Sequence, residues 1–300
     1  MEYAILGKTG FRVSRIGLGG APLGGDFGET TDEDVTRVID AALDVGINFI
    51  DTAPLYGRGA SERRIGQALK GKRDQVILAT KAVMRGDPYT YANTMKSVEE
   101  SLHRLQTDYI DLIQLHELEQ TTYEQAMNET LPAFLKLKEQ GKVRAIGVNA
   151  GKLELLLPFI KEDLVDTIQT YAKYTLIDYT AKDELLPIAK EKNIGVIHGS
   201  PLAMGILADQ PAPFLLPNTA LLEEAKRRME QLQFLRKSDP KGLVEPALRF
   251  SLTCPDIAVT LMGTTSIRSL HLNASYCDGI GLSPEEIEKL YTLFSGQRLF

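Results

Sequence analysis

NFIDTAPLYGRGASERRIGQALKGKRDQVILATK, residues 48 to 81, carries one full period of the pattern that decides the fold. Its first part, Asn48 to Thr52, is an unbroken apolar run rather than an alternating one, as expected of a strand covered on both faces. After a break, Ser61 precedes Glu62 and the apolar positions Ile65, Ala68 and Leu69, a spacing that opens an amphipathic helix. A second unbroken run, Val76 to Lys81, follows. Strand, helix and strand in this order make a crossover unit with parallel strands.

Outward from this unit the same theme recurs. Ile16–Leu18 lies upstream, and Ile110–His116, Ala145–Asn149, Thr167–Thr170, Gly195–His198 and Ala258–Met262 lie downstream, which brings the runs to eight. Helix candidates fill the gaps. Thr31 to Val45 opens at Thr31 with Asp34 three residues on, and further helices fit Thr90–Leu105, Tyr123–Glu139, Gly151–Ile160, Thr180–Glu191, Leu243–Leu252 and Ser266–Ala274. Eight alternations of this kind favour an α/β fold of the closed (β/α)8 TIM-barrel type, with an open doubly wound sheet as the competing reading.

Three segments fall outside the repeat. Tyr3 to Ile16 reads as a β-hairpin around Gly7-Lys8-Thr9-Gly10. Ala208 to Asn218 is a proline-rich loop followed by an extra helix from Thr219 to about Leu235, and a capped C-terminal helix starts at Ser283-Pro284-Glu285-Glu286. No linker or internal repeat divides the chain, so residues 1–300 are expected to form a single domain.

Composition narrows the function. Hydrophobic content of 43% and a net charge of -6, with 34 basic residues dispersed among 40 acidic ones, describe a soluble globular protein without a clustered basic face for nucleic acid. No apolar stretch is long enough to span a membrane and the N-terminus lacks a signal-peptide pattern, so a cytoplasmic protein is expected. Cys254 and Cys277 read as small buried hydrophobes. The four histidines, His103, His116, His198 and His271, show no metal-ligand spacing, so no metal is expected. Gly17-Leu18-Gly19-Gly20 is the nearest approach to a dinucleotide-binding glycine motif, but it is not expected to lead directly into a helix.

In a barrel the active site gathers at the carboxyl ends of the strands. Polar residues that close apolar runs are therefore the candidates: Asp51 with the following Tyr56, then Lys81, then His116. Their chemistry is complementary. A phenol exchanges protons too reluctantly at neutral pH, and a neighbouring ammonium such as Lys81 is expected to lower its pKa. Asp51 would keep a buried Lys81 charged, and His116 would donate to a substrate oxygen. The set handles the proton of a carbonyl and its alcohol but has no electron sink, so a hydride carrier is required. The loops after strands seven and eight, Gly199-Ser200-Pro201-Leu202-Ala203-Met204-Gly205 and Gly263-Thr264-Thr265-Ser266, suit its phosphates.

These residues resemble the aldo-keto reductase superfamily over essentially the whole chain. The resemblance rests on Asp51-Thr52-Ala53-Pro54-Leu55-Tyr56-Gly57 with Ser61-Glu62, on Leu78-Ala79-Thr80-Lys81 and on Gln114-Leu115-His116. It implies NADP(H)- or NAD(H)-dependent interconversion of a small carbonyl or sugar with its alcohol or lactone. Tyr56 then acts as general acid in reduction and general base in oxidation. It further implies cofactor contacts from Gly20, Asn149, Gln169, Gly199, Ser200, Pro201, Leu202, Gly205, Gly263, Thr264, Thr265, Ser266, Arg268 and Asn273. Three departures stand out: Asn149-Ala150 replaces the family's usual Ser-Asn, Gly199 stands where an aromatic ring usually stacks on nicotinamide, and only Arg268 is basic in its loop. The subgroup is similar to the L-galactose dehydrogenase and aldose 1-dehydrogenase branch, which shares Ser200-Pro201-Leu202-Ala203-Met204-Gly205. Weak discrimination between the two coenzymes is the corresponding expectation.

Two other functional classes fit less of this pattern: a cofactor-binding regulatory barrel without turnover, and a barrel lyase or isomerase, which would want paired carboxylates or metal ligands. Among single residues, His198 is expected to be packed and hydrogen-bonded, His103 exposed, and His271 a helix cap or a ribose contact. Tyr171 and Tyr174 are candidates for lining the substrate pocket. Substrate choice is assigned to the loops Leu23–Glu29, Met84–Tyr89, Glu117–Thr122 and Ala208–Asn218.

Overall fold

The computed structural model describes residues 1–210, 217–238 and 242–300. A two-stranded antiparallel hairpin, β1 (Tyr3–Ile5) and β2 (Arg12–Ser14), precedes the repeat. Then come β3 (Ile16–Gly19), β4 (Phe49–Asp51), β5 (Ile77–Ala82), β6 (Ile110–Leu115), β7 (Val143–Ala150), β8 (Thr167–Tyr171), β9 (Gly195–Gly199) and β10 (Val259–Met262). These eight are parallel and in sequence order, and β10 closes onto β3 through Thr260↔Ile16. The closed barrel, and not the open sheet, is the fold.

Closure follows from the runs read above. Side chains alternate across each strand, so one set points into the barrel and the other toward the helices. The outward set, including Ile16, Leu18, Ile50, Leu78, Ile113, Val148 and Ile168, merges with the helix faces into the main hydrophobic cluster. The inward set at the amino end is also apolar: Phe49, Ala79, Leu112, Ala145, Ile197, Val259 and Leu261 pack with Leu6, Phe11 and Val13 of the hairpin region. The hairpin is thus a plug that closes the amino end. Burying each such aliphatic side chain stabilises the fold by about 1.5–3 kcal/mol, and inward positions become polar only toward the carboxyl end.

Several boundaries differ from expectation for identifiable reasons. The helix Asp32–Asp44 begins in the expected capping box of Thr31 and Asp34, and Pro284–Phe294 begins in one made by Ser283 and Glu286. The helix after β4 runs from Ala60 to Ala68, so Ser61 lies inside it; its start is set by Gly59 at φ 87°, a left-handed conformation. Tyr123–Glu139 is not one regular helix: a π-turn, Ala126–Thr130, sits before Leu131–Glu139, because Pro132 cannot donate to the preceding turn. Thr180–Lys182 is a separate 3₁₀ turn and the helix proper is Leu185–Glu191. The extra helix stops at Glu230 rather than near Leu235, and most of the proline-rich loop, residues 211–216, lies outside the described residues. Gly17–Gly20 does lead directly into a helix, Ala21–Gly24, a single turn started by Pro22.

Candidate functional site

The four candidates for catalysis converge at the carboxyl end of the barrel. β4 ends on Asp51, which pairs in register with Gly19 and Ala79, and Lys81 lies one inward position above Ala79 on β5. Asp51 and Lys81 are 2% and 1% exposed, so their contact excludes water. Lys81 Nζ donates to Asp51 Oδ2 at 2.6 Å, to the Thr52 carbonyl at 2.9 Å and to the Tyr56 hydroxyl at 3.4 Å. All three N–H bonds of the ammonium are therefore used. The ring of His116 stands edge-on to Tyr56, 6.2 Å between centroids, and its Nδ1 is buried without a partner.

Tyr56 is placed by a tight turn. The chain passes through left-handed backbone at Gly57 (φ 57°), Arg58 (φ 51°) and Gly59 (φ 87°). A Cβ on Gly57 would lie 2.2 Å from the Gly24 carbonyl oxygen, so only glycine fits there. Asp26 accepts from the Gly57 N–H at 3.0 Å, which ties the loop Leu23–Glu29 to the residue after Tyr56. Ser61 donates to the Gly20 carbonyl at 2.7 Å and lies 2.8 Å from the Thr52 hydroxyl. Below these, the fully buried Glu62 accepts from Thr80 at 2.7 Å and from Arg104 at 2.7 Å, which secures the strand that carries Lys81.

Electrostatics modify the expected picture in one respect. Burial pulls down the proton affinity of Lys81, but Asp51 and Tyr56 outweigh it, and the ammonium is held above its ordinary range as expected. The phenol of Tyr56, expected to be lowered, is raised instead. Burial dominates, Asp51 and Glu117 push the same way, and Lys81 opposes without prevailing. His116 is driven well below its usual value by burial, then by Lys81 and Arg85, so it is a neutral imidazole at neutral pH. The mouth thus holds a protonated phenol beside a neutral ring.

Left-handed backbone recurs at the mouth. Val83, Glu117, Ala172 and Ser200 have φ of 69°, 52°, 55° and 52°, and each stands just past the end of β5, β6, β8 or β9. For the β-branched Val83 this conformation is costly, about 1–3 kcal/mol. Tyr89 donates to the His116 carbonyl at 2.7 Å, and Arg85 grips Glu117 in a two-point ion pair with one bond of 2.8 Å. Glu119 accepts from the main-chain N–H groups of Gly151 and Lys152 at 2.8 and 2.9 Å.

Along β7, β8 and β9 the candidate cofactor residues lie side by side, with Asn149 opposite Gln169 and Tyr171 opposite Gly199. Asn149 accepts from the Glu117 N–H and donates to the Gln169 carbonyl, both at 3.3 Å. Gln169 Oε1 is buried without a partner. A Cβ on Gly199 would come 3.2 Å from Tyr171 Cβ, so this position is a cradle rather than a platform. Ser200, Pro201, Leu202 and Gly205 follow in a turn that includes Gly205 at φ 98°.

Gly263, Thr265, Ser266 and Arg268 are exposed on the rim with Thr264 half-buried. Ser266 caps the helix Ile267–Ser275, which also carries the buried Asn273. Gly20 is a different case. Its N–H donates to the Asp51 carbonyl at 2.7 Å and its oxygen accepts from Ser61, which ties the end of β3 to β4 and to the helix Ala60–Ala68.

Of the remaining expectations, His198 is fully buried with Nδ1 2.9 Å from the Ser251 hydroxyl, and His103 is exposed. His271 is exposed within a helix that Ser266 caps, so it is no cap itself. Tyr171 is half-buried at the mouth, whereas Tyr174 is buried, stacked on Phe250 at 4.6 Å with its hydroxyl 3.0 Å from that of Tyr291. Both cysteines are buried and free. Gln114, Thr52, Arg85 and Glu117 were not singled out by sequence as site residues. Gln114 carried a usable signal, since it lies two residues before His116 and therefore on the same inward face.

A parallel barrel with an aspartate, tyrosine, lysine and histidine converging at its mouth matches the class of nicotinamide-dependent oxidoreductases that the sequence resembles. The aldo/keto reductase family profile matches residues 15–293, and the chain belongs to that family. It is an NAD(P)(H)-dependent oxidoreductase. It is 35% identical to L-galactose dehydrogenase of Arabidopsis thaliana, an alignment that covers 97% of this chain and 93% of the relative. It is 33% identical to the NADH-specific methylglyoxal reductase of Escherichia coli, covering 86% of this chain and 85% of that one. Among solved structures, the holo form of aldo-keto reductase AKR11C1 from Bacillus halodurans superposes with a TM-score of 0.80 at 30% identity, covering 98% of this chain and 96% of that one. Among the described residues no helix is long and apolar enough to cross a membrane.

Proposed function

We propose that this enzyme interconverts a small aldehyde, ketone or aldose with its alcohol or lactone, and that Tyr56 transfers the proton. The observation that carries the reading is the Lys81 ammonium, which touches both the Asp51 carboxylate at 2.6 Å and the Tyr56 hydroxyl at 3.4 Å. In reduction, Tyr56 gives its proton to the developing alkoxide. The phenolate left behind is met by a cation that is already in place and needs no reorganisation. In oxidation the phenolate takes the proton back. His116, neutral and edge-on to the ring, orients the carbonyl oxygen toward the hydroxyl.

Gln169, Asn149 and the turn Gly199–Gly205 would hold the nicotinamide end of the coenzyme, and the Gly263–Ser266 loop with Arg268 and Asn273 the adenosine end. The unpartnered Gln169 Oε1 suits a carboxamide N–H, and the capped helix N-terminus suits a phosphate. Bound there, the reduced nicotinamide supplies the hydride. With Arg268 as the basic side chain of its loop, a 2′-phosphate gains one cation, so NADH and NADPH are expected to serve within about tenfold of each other, one charge-assisted contact being worth roughly 1.4 kcal/mol. Turnover of aldehydes and aldoses with each coenzyme tests the reading. Absence of turnover with both would overturn it, and a preference for either coenzyme far above tenfold would overturn weak discrimination.

A further inference from the structure

Asp51 is held from two sides. Lys81 takes Oδ2, and Gln114 Nε2 donates to Oδ1 at 3.1 Å. Gln114 is fully buried on β6, in register with Lys81 on one neighbouring strand and Gly147 on the other. Gly147 leaves the amide room: a Cβ there would lie 3.2 Å from Gln114 Cγ. The far end of that amide, Oε1, is buried without a partner. A leucine would fill this place without leaving a polar atom unsatisfied, so packing alone does not account for an amide here. What the amide adds is a donor to the one carboxylate oxygen that Lys81 does not reach.

We propose that Gln114 is a positioning residue for the proton-transfer site, its amide locking the Asp51 carboxylate so that Lys81 keeps its third N–H on the Tyr56 hydroxyl. The inference rests on the reading of Tyr56 given above. Lys81 has no spare donor, so its place follows that of the carboxylate. Without Gln114 the carboxylate is free to rotate about its bond to Cβ and to draw the ammonium off the phenol. Its negative charge is also less shared, and it lies beside Tyr56. Both consequences make the phenol harder to ionise. The charged or titratable groups around Tyr56 are Asp51 from β4, Lys81 from β5, His116 and Glu117 at the end of β6, and Tyr171 from β8. Of these, Gln114 hydrogen-bonds to Asp51.

Gln114→Met keeps the length of the side chain and removes the donor; Gln114→Glu places a second carboxylate against the first. Alcohol oxidation measured against pH reads the ionisation of Tyr56. For Gln114→Met the rising limb should move up by about one pH unit, which lowers kcat about tenfold below the limb, with the KM for coenzyme unchanged. For Gln114→Glu the two carboxylates should share a proton, and the profile should gain an ionisation. A Gln114→Met enzyme that loses thermal stability yet keeps the wild-type limb would show a structural role only and overturn the proposal. NMR titration of ring-labelled protein, with the Tyr56 Cζ signal assigned by its loss in Tyr56→Phe, reads the same ionisation without turnover. If the wild type fails to turn over, the functional reading falls, while an unchanged Cζ titration in Gln114→Met sinks the Gln114 inference by itself.

Discussion

The two ends of the barrel are built from the same strands to opposite rules. At the amino end, Phe49, Leu112, Ile197, Val259 and Leu261 meet Leu6, Phe11 and Val13 in an apolar plug. At the carboxyl end, one or two inward positions further along, stand Asp51, Lys81, Gln114, His116 and Gln169, some with polar atoms left unpaired. Left-handed backbone occurs at both ends: at Val83, Glu117, Ala172 and Ser200 past strand ends by the mouth, and at Gln106, Asp163 and Asn193 in the turns that lead into β6, β8 and β9. The difference shows that the plug supplies stability which the mouth spends on unpaired polar atoms.

That division can be broken by substitution. The largest effect is expected at the mouth: Tyr56→Phe should lower kcat by roughly 10²–10⁴-fold and leave coenzyme affinity, read by nicotinamide fluorescence, nearly unchanged. Full activity in that variant would end the assignment. Leu112→Ala, in the plug, should show the reverse, a loss of about 2–5 kcal/mol in denaturant unfolding with kcat and KM preserved. If instead activity fell without a loss of stability, the two ends would not be separable.

A pH experiment sharpens the comparison. His198 lies outside both regions, buried with Ser251, and burial lowers its pKa to about 3. The unfolded chain would bind its proton near 6.5, so the folded state is penalised once the pH falls below that value. Stability should decline from about pH 6.5 toward pH 3 with a slope of up to about 1.4 kcal/mol per pH unit from this group. A His198→Gln variant should lose that slope, which urea titrations at several pH values can check. The smallest effect is expected at the rim: Arg85 is 54% exposed, so Arg85→Ala should change stability by less than about 1 kcal/mol, its consequence appearing in substrate KM instead.

How much of this was legible in the sequence follows the same line. The eight strands were readable because both faces of a barrel strand are covered, so each announces itself as an unbroken apolar run; Ile110–Leu115 and Thr167–Tyr171 fall within one residue of expectation. Asp51, Lys81 and His116 were readable because a polar residue that ends such a run has few structural reasons to be there. For Gln114 the spacing to His116 marked the inward face, but its partner appears only when the register sets it against Asp51. The direction of the Tyr56 shift was not readable either: sequence names the charges around a phenol but not how far burial outweighs them. Nor did it reveal that the polar groups of Gly20 are consumed by Asp51 and Ser61, because main-chain partners leave no trace in side-chain pattern.

The contact of Gly57 with Gly24 has a consequence for changing what the enzyme accepts. The loop Leu23–Glu29 borders the mouth, and its backbone touches the residue next to Tyr56 with no side chain between them. Widening that loop to admit a bulkier carbonyl would push on the turn that aims the phenol. Substrate range and turnover are geared together at this one glycine pair, so directed evolution toward larger substrates should leave Gly24 and Gly57 unchanged.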